Sequence, residues 1–108
     1  MIKEKAQELA NLIKGSEQFE ALKSAESRLK LDPTAQDLVQ NFQELQQKVM
    51  EAQYSGQQPD SADMEKLQNM QNEMKLNLTI KNMAEAQENF ENLMKEVNET
   101  VSQELSKE

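Results

Sequence analysis

The chain has no cysteine and no histidine, only two glycines and two prolines, and one arginine and one tyrosine. Each absence removes a class of function. Without cysteine there is no disulfide framework, no thiolate nucleophile and no thiolate metal site, which fits a reducing compartment. Without histidine the usual general base and imidazole ligand are gone as well, which excludes most hydrolytic chemistry. Gly15 and Gly56 are isolated, and neither opens a lysine-bearing phosphate loop, so nothing supports nucleotide binding. Aromatics make up 4% and the net charge is −8. The basic patch and stacking platform of a nucleic-acid binder are therefore missing, and no direct contact with nucleic acid is expected. No run of consecutive apolar residues exceeds two, and Met1-Ile2-Lys3-Glu4-Lys5 opens on charge rather than on an apolar signal region. The reading is a cytoplasmic chain, neither exported nor held in a membrane.

What is present favours helices. Glu, Gln, Lys, Ala, Leu and Met dominate the 108 residues, and all are good helix formers. The length suits one domain over 1–108, with a thin core because only 36% of residues are hydrophobic. Helical recurrence of those residues argues against disorder. A first helix is expected over 2–14, with Ile2, Ala6, Leu9, Ala10 and Ile13 on one stripe, ended by Gly15. Ser16 caps a second, over 17–30, carrying Phe19, Leu22, Ala25 and Leu29. Asp32-Pro33 then starts a third, over 33–54: an acidic cap followed by proline at the first helical position. Its Ala35, Leu38, Phe42, Leu45, Val49 and Ala52 recur at spacings of three and four, the pattern of a coiled-coil seam. Residues 55–60 form a loop, with Gly56 suited to a left-handed position.

Asp60 or Ser61 caps a last segment of some 45 residues. Its first half places Met64, Leu67, Met70, Met74 and Leu78 on one face but Leu76 and Ile80 on another, so a kink or restart is expected near Asn77, giving helices over 61–76 and 78–105. Its second half carries Met83, Ala86, Phe90, Leu93, Val97, Val101 and Leu105 on one stripe. The fold class is thus all-α: a bundle of four to five helices with a long, kinked C-terminal helix. Such a segment would extend roughly 65 Å against about 30 Å for the third helix, so a second copy is expected to cover it, giving a homodimer. Phe19, Leu22, Leu38, Phe42, Leu45, Val49, Met83, Phe90, Leu93, Val97, Val101 and Leu105 are the expected core or interface.

The polar residues point to no chemistry. Glu85, Glu88, Glu91, Glu96 and Glu99 read as a solvated helix face, because the carboxylate-bridged metal motif of bundles requires histidine. Glu26 with Lys30, Glu44 with Lys48, and Glu91 with Lys95 are spaced to support helices as ion pairs. The sequons Asn77-Leu78-Thr79 and Asn98-Glu99-Thr100 read as chance in an Asn-rich chain.

From end to end the chain resembles the YlbF/YmcA family of small helical proteins. The carriers are Glu8-Leu9-Ala10 through Ile13-Lys14 and Ser16-Glu17, then Asp32-Pro33-Thr34-Ala35 with Phe42 and Gln46. Ser55-Gly56, Asn77 through Ile80, Glu85-Ala86 and the stripe Phe90, Leu93, Val97 follow in the family's order. The resemblance implies a helical dimer and a regulatory role in competence, sporulation, biofilm formation or RNA processing. Two departures stand out: Leu78 occupies a position where the family often has proline, and the cysteines tied to iron–sulfur binding in some relatives are absent, so no cofactor is expected. The resulting expectation is a non-catalytic adaptor that packs its helices on a copy of itself and on another protein. The alternative is a holdase-like or scaffolding protein whose five C-terminal methionines, Met64, Met70, Met74, Met83 and Met94, adapt to varied apolar clients.

Overall fold

The computed structural model describes residues 1–107, and these form five α-helices: α1 (Ile2–Lys14), α2 (Glu17–Lys30), α3 (Pro33–Tyr54), α4 (Ser61–Leu76) and α5 (Leu78–Ser106). No strand occurs among the described residues. The chain is all-α, as its composition and periodicity require. Where the sequence leads one to expect a single domain over 1–108, the contacts gather into two compact units, one of Met1–Ser27 with Asn82–Glu108 and one of Arg28–Lys81.

The first unit holds α1, most of α2 and most of α5. Gly15 ends α1 with φ −87° and ψ 0°, its N–H donating to the Asn11 carbonyl. Ser16 then joins two helices through one hydroxyl: Oγ donates to the Ile13 carbonyl at 2.6 Å and accepts the Phe19 N–H at 3.1 Å. Inside this unit Phe19 of α2 meets Phe90 of α5 with ring centroids 5.9 Å apart and planes inclined at 56°, and the Lys23 ammonium lies 5.3 Å from the Phe19 centroid. Ala25 and Ala86 are buried. Small residues are what close approach of helices demands.

The second unit is an antiparallel αα-hairpin of α3 and α4 with the end of α2 and the first turn of α5. Asp32 caps α3 through Oδ1, which accepts the Ala35 N–H at 3.1 Å, and Pro33 stands at the first helical position. Ala35 is fully buried, Val49 is buried, and Leu38, Phe42, Leu45 and Ala52 are half-buried, so the whole seam faces inward. Leu67, Met70 and Met74 of α4 lie half-buried on the same side. Gly56 turns the chain with φ +78°, the left-handed conformation that glycine adopts without strain. Asp60, rather than Ser61, caps α4, its Oδ1 accepting the Ala62 N–H at 3.0 Å.

The restart expected near Asn77 is present: α4 ends at Leu76, Asn77 takes an extended conformation (φ −82°, ψ 116°), and a separate 29-residue α5 begins at Leu78. Because α4 folds back along α3, length alone does not demand a second copy. One expectation is corrected: the i,i+4 ion pairs do not form. Glu26 pairs with Lys23 at 3.5 Å, and Lys48 reaches across the hairpin to Asp63 at 3.3 Å. An exposed ion pair contributes at most about 1 kcal/mol, so other geometries compete easily with the spacing rule.

Candidate functional site

The twelve residues singled out from the sequence fall into three groups. On α3, Val49 is buried and Leu38, Phe42 and Leu45 are half-buried, facing α4 within the hairpin. In the terminal unit Phe19, Leu22, Met83, Phe90, Leu93 and Val97 are half-buried. Val101 and Leu105 are not covered: they are 49% and 75% exposed. The α5 stripe therefore enters the fold as far as Val97 and leaves it for the last two turns.

α1 is the second uncovered element. Ile2, Ala6, Leu9 and Ile13 fall within an arc of about 60° on a helix of 100° per residue, and Lys3, Glu4, Lys5 and Glu8 lie outside it. Yet the helix contains no buried residue, and Ile2 and Leu12 are 87% and 73% exposed. Ile13 alone is half-buried along it. The stripe is therefore open at Ile2 and increasingly covered towards Leu9, 37% exposed, and Ile13, without any of its residues being buried. A stripe of this length left in water forgoes roughly 1.5–3 kcal/mol for each large side chain that burial would cover.

A shallow, open depression lies along the outer face of α5. It is lined by Phe90, Met94, Asn98 and Ser102 on one i,i+4 row, and by Glu91, Lys95, Glu99 and Gln103 beside it. No other helix contributes a lining residue. A second depression, between α2 and α5, is lined by Glu17, Gln18, Ala21, Asn89, Asn92, Leu93 and Glu96. The sequence stripe named Phe90, Leu93 and Val97 but passed over Met94, which is half-buried at the first depression. Its signal was the four-residue step from Phe90 to Met94.

Polar groups are arranged to end helices. Asp32 is the most engaged of them: Oδ2 accepts the Thr79 hydroxyl at 2.7 Å while Oδ1 caps α3. The hydrogen bond from Thr79, then that from the Ala35 N–H, hold its carboxyl below the usual carboxylate range. Asn77 Oδ1 accepts the Ile80 N–H at 3.0 Å and starts α5. No grouping of three or more acidic side chains placed to hold a metal ion occurs among the described residues. No described helix is long and apolar enough to cross a membrane.

The sequence profile of the family described as "Control of competence regulator ComK, YlbF/YmcA" matches residues 2–106. The chain belongs to this family. Membership bears out the resemblance carried by Asp32-Pro33 and the Phe90 stripe. Among the chain's relatives, a "UPF0342 protein" of Lacticaseibacillus casei (strain BL23) is 31% identical over 98 residues, covering 91% of this chain and 86% of the relative. Another, from Alkalihalophilus pseudofirmus, is 28% identical over 102 residues, covering 94% of this chain and 86% of the relative. Two solved structures share the fold. One is a chain of the crystal structure of Bacillus subtilis RicA in complex with RicF, with TM-score 0.85, 23% identity, and 97% of this chain and 93% of that chain covered. The other, a protein of unknown function from Bacillus stearothermophilus, has TM-score 0.73 and 22% identity, covering 96% of this chain and 91% of that chain.

Proposed function

We propose that this YlbF/YmcA family member is a non-catalytic, cytoplasmic regulatory adaptor. It acts as one helical domain, pairing with a second copy and engaging another protein, in competence, development or RNA-processing control. The observation that carries the reading is the apolar stripe of α1, complete in sequence but with no residue buried in structure. The uncovered end of α5 supports it in the same way. A helix of this kind gains stability only by docking on another apolar surface, which is how helix-in-groove recognition works. The family description, control of a competence regulator, supports a regulatory rather than chemical role. The neighbouring fold comes from a complex of two proteins, RicA and RicF, which supports assembly with a protein partner. A net charge of −8 argues against nucleic acid and anionic membrane as partners.

Crosslinking capture from the native cell, combined with light scattering of the purified chain, tests the reading. A dimer in solution and one stoichiometric partner, lost from a Leu9→Asp, Leu12→Asp variant, are the expected outcome. A monomer that captures nothing would overturn the adaptor. A broad set of unfolded clients, retained by that variant, would favour the holdase reading, for which the exposed Met50 and Met64 are the relevant surface.

A further inference from the structure

Charge is distributed unevenly around the α3–α4 hairpin, and we infer that its uncharged flank docks one helix of a different protein. The inference rests on the adaptor reading, in which a partner protein is engaged, and says which surface takes that partner and with what chemistry.

All four charged residues of α3, Asp37, Glu44, Lys48 and Glu51, fall within an arc of about 60° at 100° per residue. On this flank of the hairpin Lys48 pairs with Asp63 of α4, and Glu44 and Lys48 border a depression with Lys66. Across the buried seam, on the side of α3 opposite the charged stripe, Val39, Gln46, Met50 and Gln53 share another arc of about 60°. Met64, Gln68 and Gln71 occupy the same flank of α4, because the helices are antiparallel and Asp63 and Lys66 lie towards the other. Lys75 enters their arc only a turn beyond Gln71. In a chain that is 30% charged, no charge therefore occurs within these two arcs from Val39 to Gln53 or from Met64 to Gln71.

The flank has open bonding capacity as well. Met50 and Met64 are 48% and 44% exposed. Gln40 and Gln47, outside the flank, hydrogen-bond to Glu44 and Glu51, whereas the amides of Gln46, Gln53, Gln68 and Gln71 have no such partner among the described residues. Exposed thioethers where charge is depleted have the composition of an interface centre. From Val39 to Gln53 the flank extends about 21 Å, and the channel between two antiparallel helices receives the ridges of a third helix of that length.

Charge decides which helix. A charged side chain laid on this flank would lose hydration and find no counter-ion, so the occupant presents apolar and amide or hydroxyl side chains over about four turns. The chain's own uncovered helices do not offer this. Lys3 and Lys5 edge the apolar stripe of α1, and Glu104 lies within about 60° of Val101 on the exposed end of α5. The occupant is therefore a different protein.

The test uses the full chain in its native cell. Benzoylphenylalanine is placed singly at Gln46 and Gln71 on the uncharged flank, at Glu44 on the charged flank and at Leu12 on α1. Each photo-adduct is digested and its peptides are sequenced by mass spectrometry. Gln46 and Gln71 are expected to capture the same segment of one different protein, uncharged along one helical face, and Glu44 to capture none of it. That segment, synthesised as a peptide, should bind the purified chain with a Kd that changes less than about two-fold between about 0.05 and 0.5 M salt. Met50→Lys and Gln71→Lys, both at exposed positions, should each weaken binding by about ten-fold or more with the helical circular dichroism unchanged, while Glu44→Lys leaves the Kd as it was. Capture of a segment of this chain would overturn the proposal in favour of a second copy, and a spread of unrelated segments would do so in favour of varied clients. Equal capture at Glu44, or binding that survives both lysine variants, would overturn the assignment to this flank. Adducts at Leu12 alone would overturn the hairpin surface and leave the adaptor standing, whereas no adduct at any position would overturn both.

Discussion

Thr79 and Asp32, 47 residues apart, are joined by a 2.7 Å hydrogen bond in which the threonine hydroxyl donates to the carboxylate. The bond ties the start of α5 to the start of α3, so the two ends of the α3–α4 hairpin close on each other. It also lowers the Asp32 pKa, and the sign of the pH effect follows. A carboxyl with a depressed folded-state pKa contributes stability that is fully present above its unfolded value, about 3.9, and is lost as pH falls through the folded value. Thr79→Val is therefore expected to lower Tm at pH 7 and to flatten the stability profile below about pH 4. Thermal melts of both proteins between pH 2 and 7, an interval chosen to bracket that value, check it.

Leu78 occupies the first position of α5, where the backbone N–H has no acceptor within the helix, and its side chain is 70% exposed. Asn77 before it already has the extended conformation that a following proline requires. Leu78→Pro should therefore leave stability within about 0.5 kcal/mol, instead of the ~3 kcal/mol that proline costs inside a helix. Asn77→Ala removes the cap on Ile80 and should cost about 1 kcal/mol. Urea unfolding of the two variants distinguishes a helix start at this point from a continuous helix, which would reverse their order.

The Phe19–Phe90 pair should couple energetically. Each ring is half-buried, so truncation to alanine is expected to cost about 2 kcal/mol, below the range for fully buried rings. The double variant should lose less than the sum by roughly 0.5–1.5 kcal/mol, the increment of a tilted aromatic pair. Additive losses would mean that the rings contribute only area.

The two glycines should respond in opposite directions. Gly15 has a negative φ and only carbonyl oxygens 3.7–3.8 Å from an added Cβ, so Gly15→Ala should stabilise by about 0.4–1 kcal/mol through the unfolded chain. Gly56 has φ +78°, and alanine there should cost about 1–2 kcal/mol although nothing lies within 4 Å of the added Cβ. Chemical denaturation of both measures the difference.

The helix starts were legible because each is written in side chains that act locally. Asp32 before Pro33, Ser16, Asp60 and Asn77 all bond to backbone N–H groups two or three residues ahead, within reach of a sequence argument. The seam of α3 was legible for a similar reason, since its regular spacing leaves one face to bury. What the sequence did not convey was which stripe is covered. Periodicity marks the apolar side of α1 and of α3 equally, but only α3 has α4 returning along it after a short loop. The Lys48–Asp63 pair escaped notice because it crosses from one helix to another, and the Thr79–Asp32 bond because no local rule joins residues that far apart. At the candidate site, Phe90 was evident from the stripe, while Met94, one four-residue step further along the same row, was read only as one of the C-terminal methionines.

Among the described residues the buried ones are three alanines and one valine: Ala25, Ala35, Val49 and Ala86. A chain so lightly filled draws little folding free energy from its own interior, and anything that binds the folded form adds its binding free energy to that small reserve. A partner that covers the folded chain would therefore also shield it from proteases, which act on the opened form.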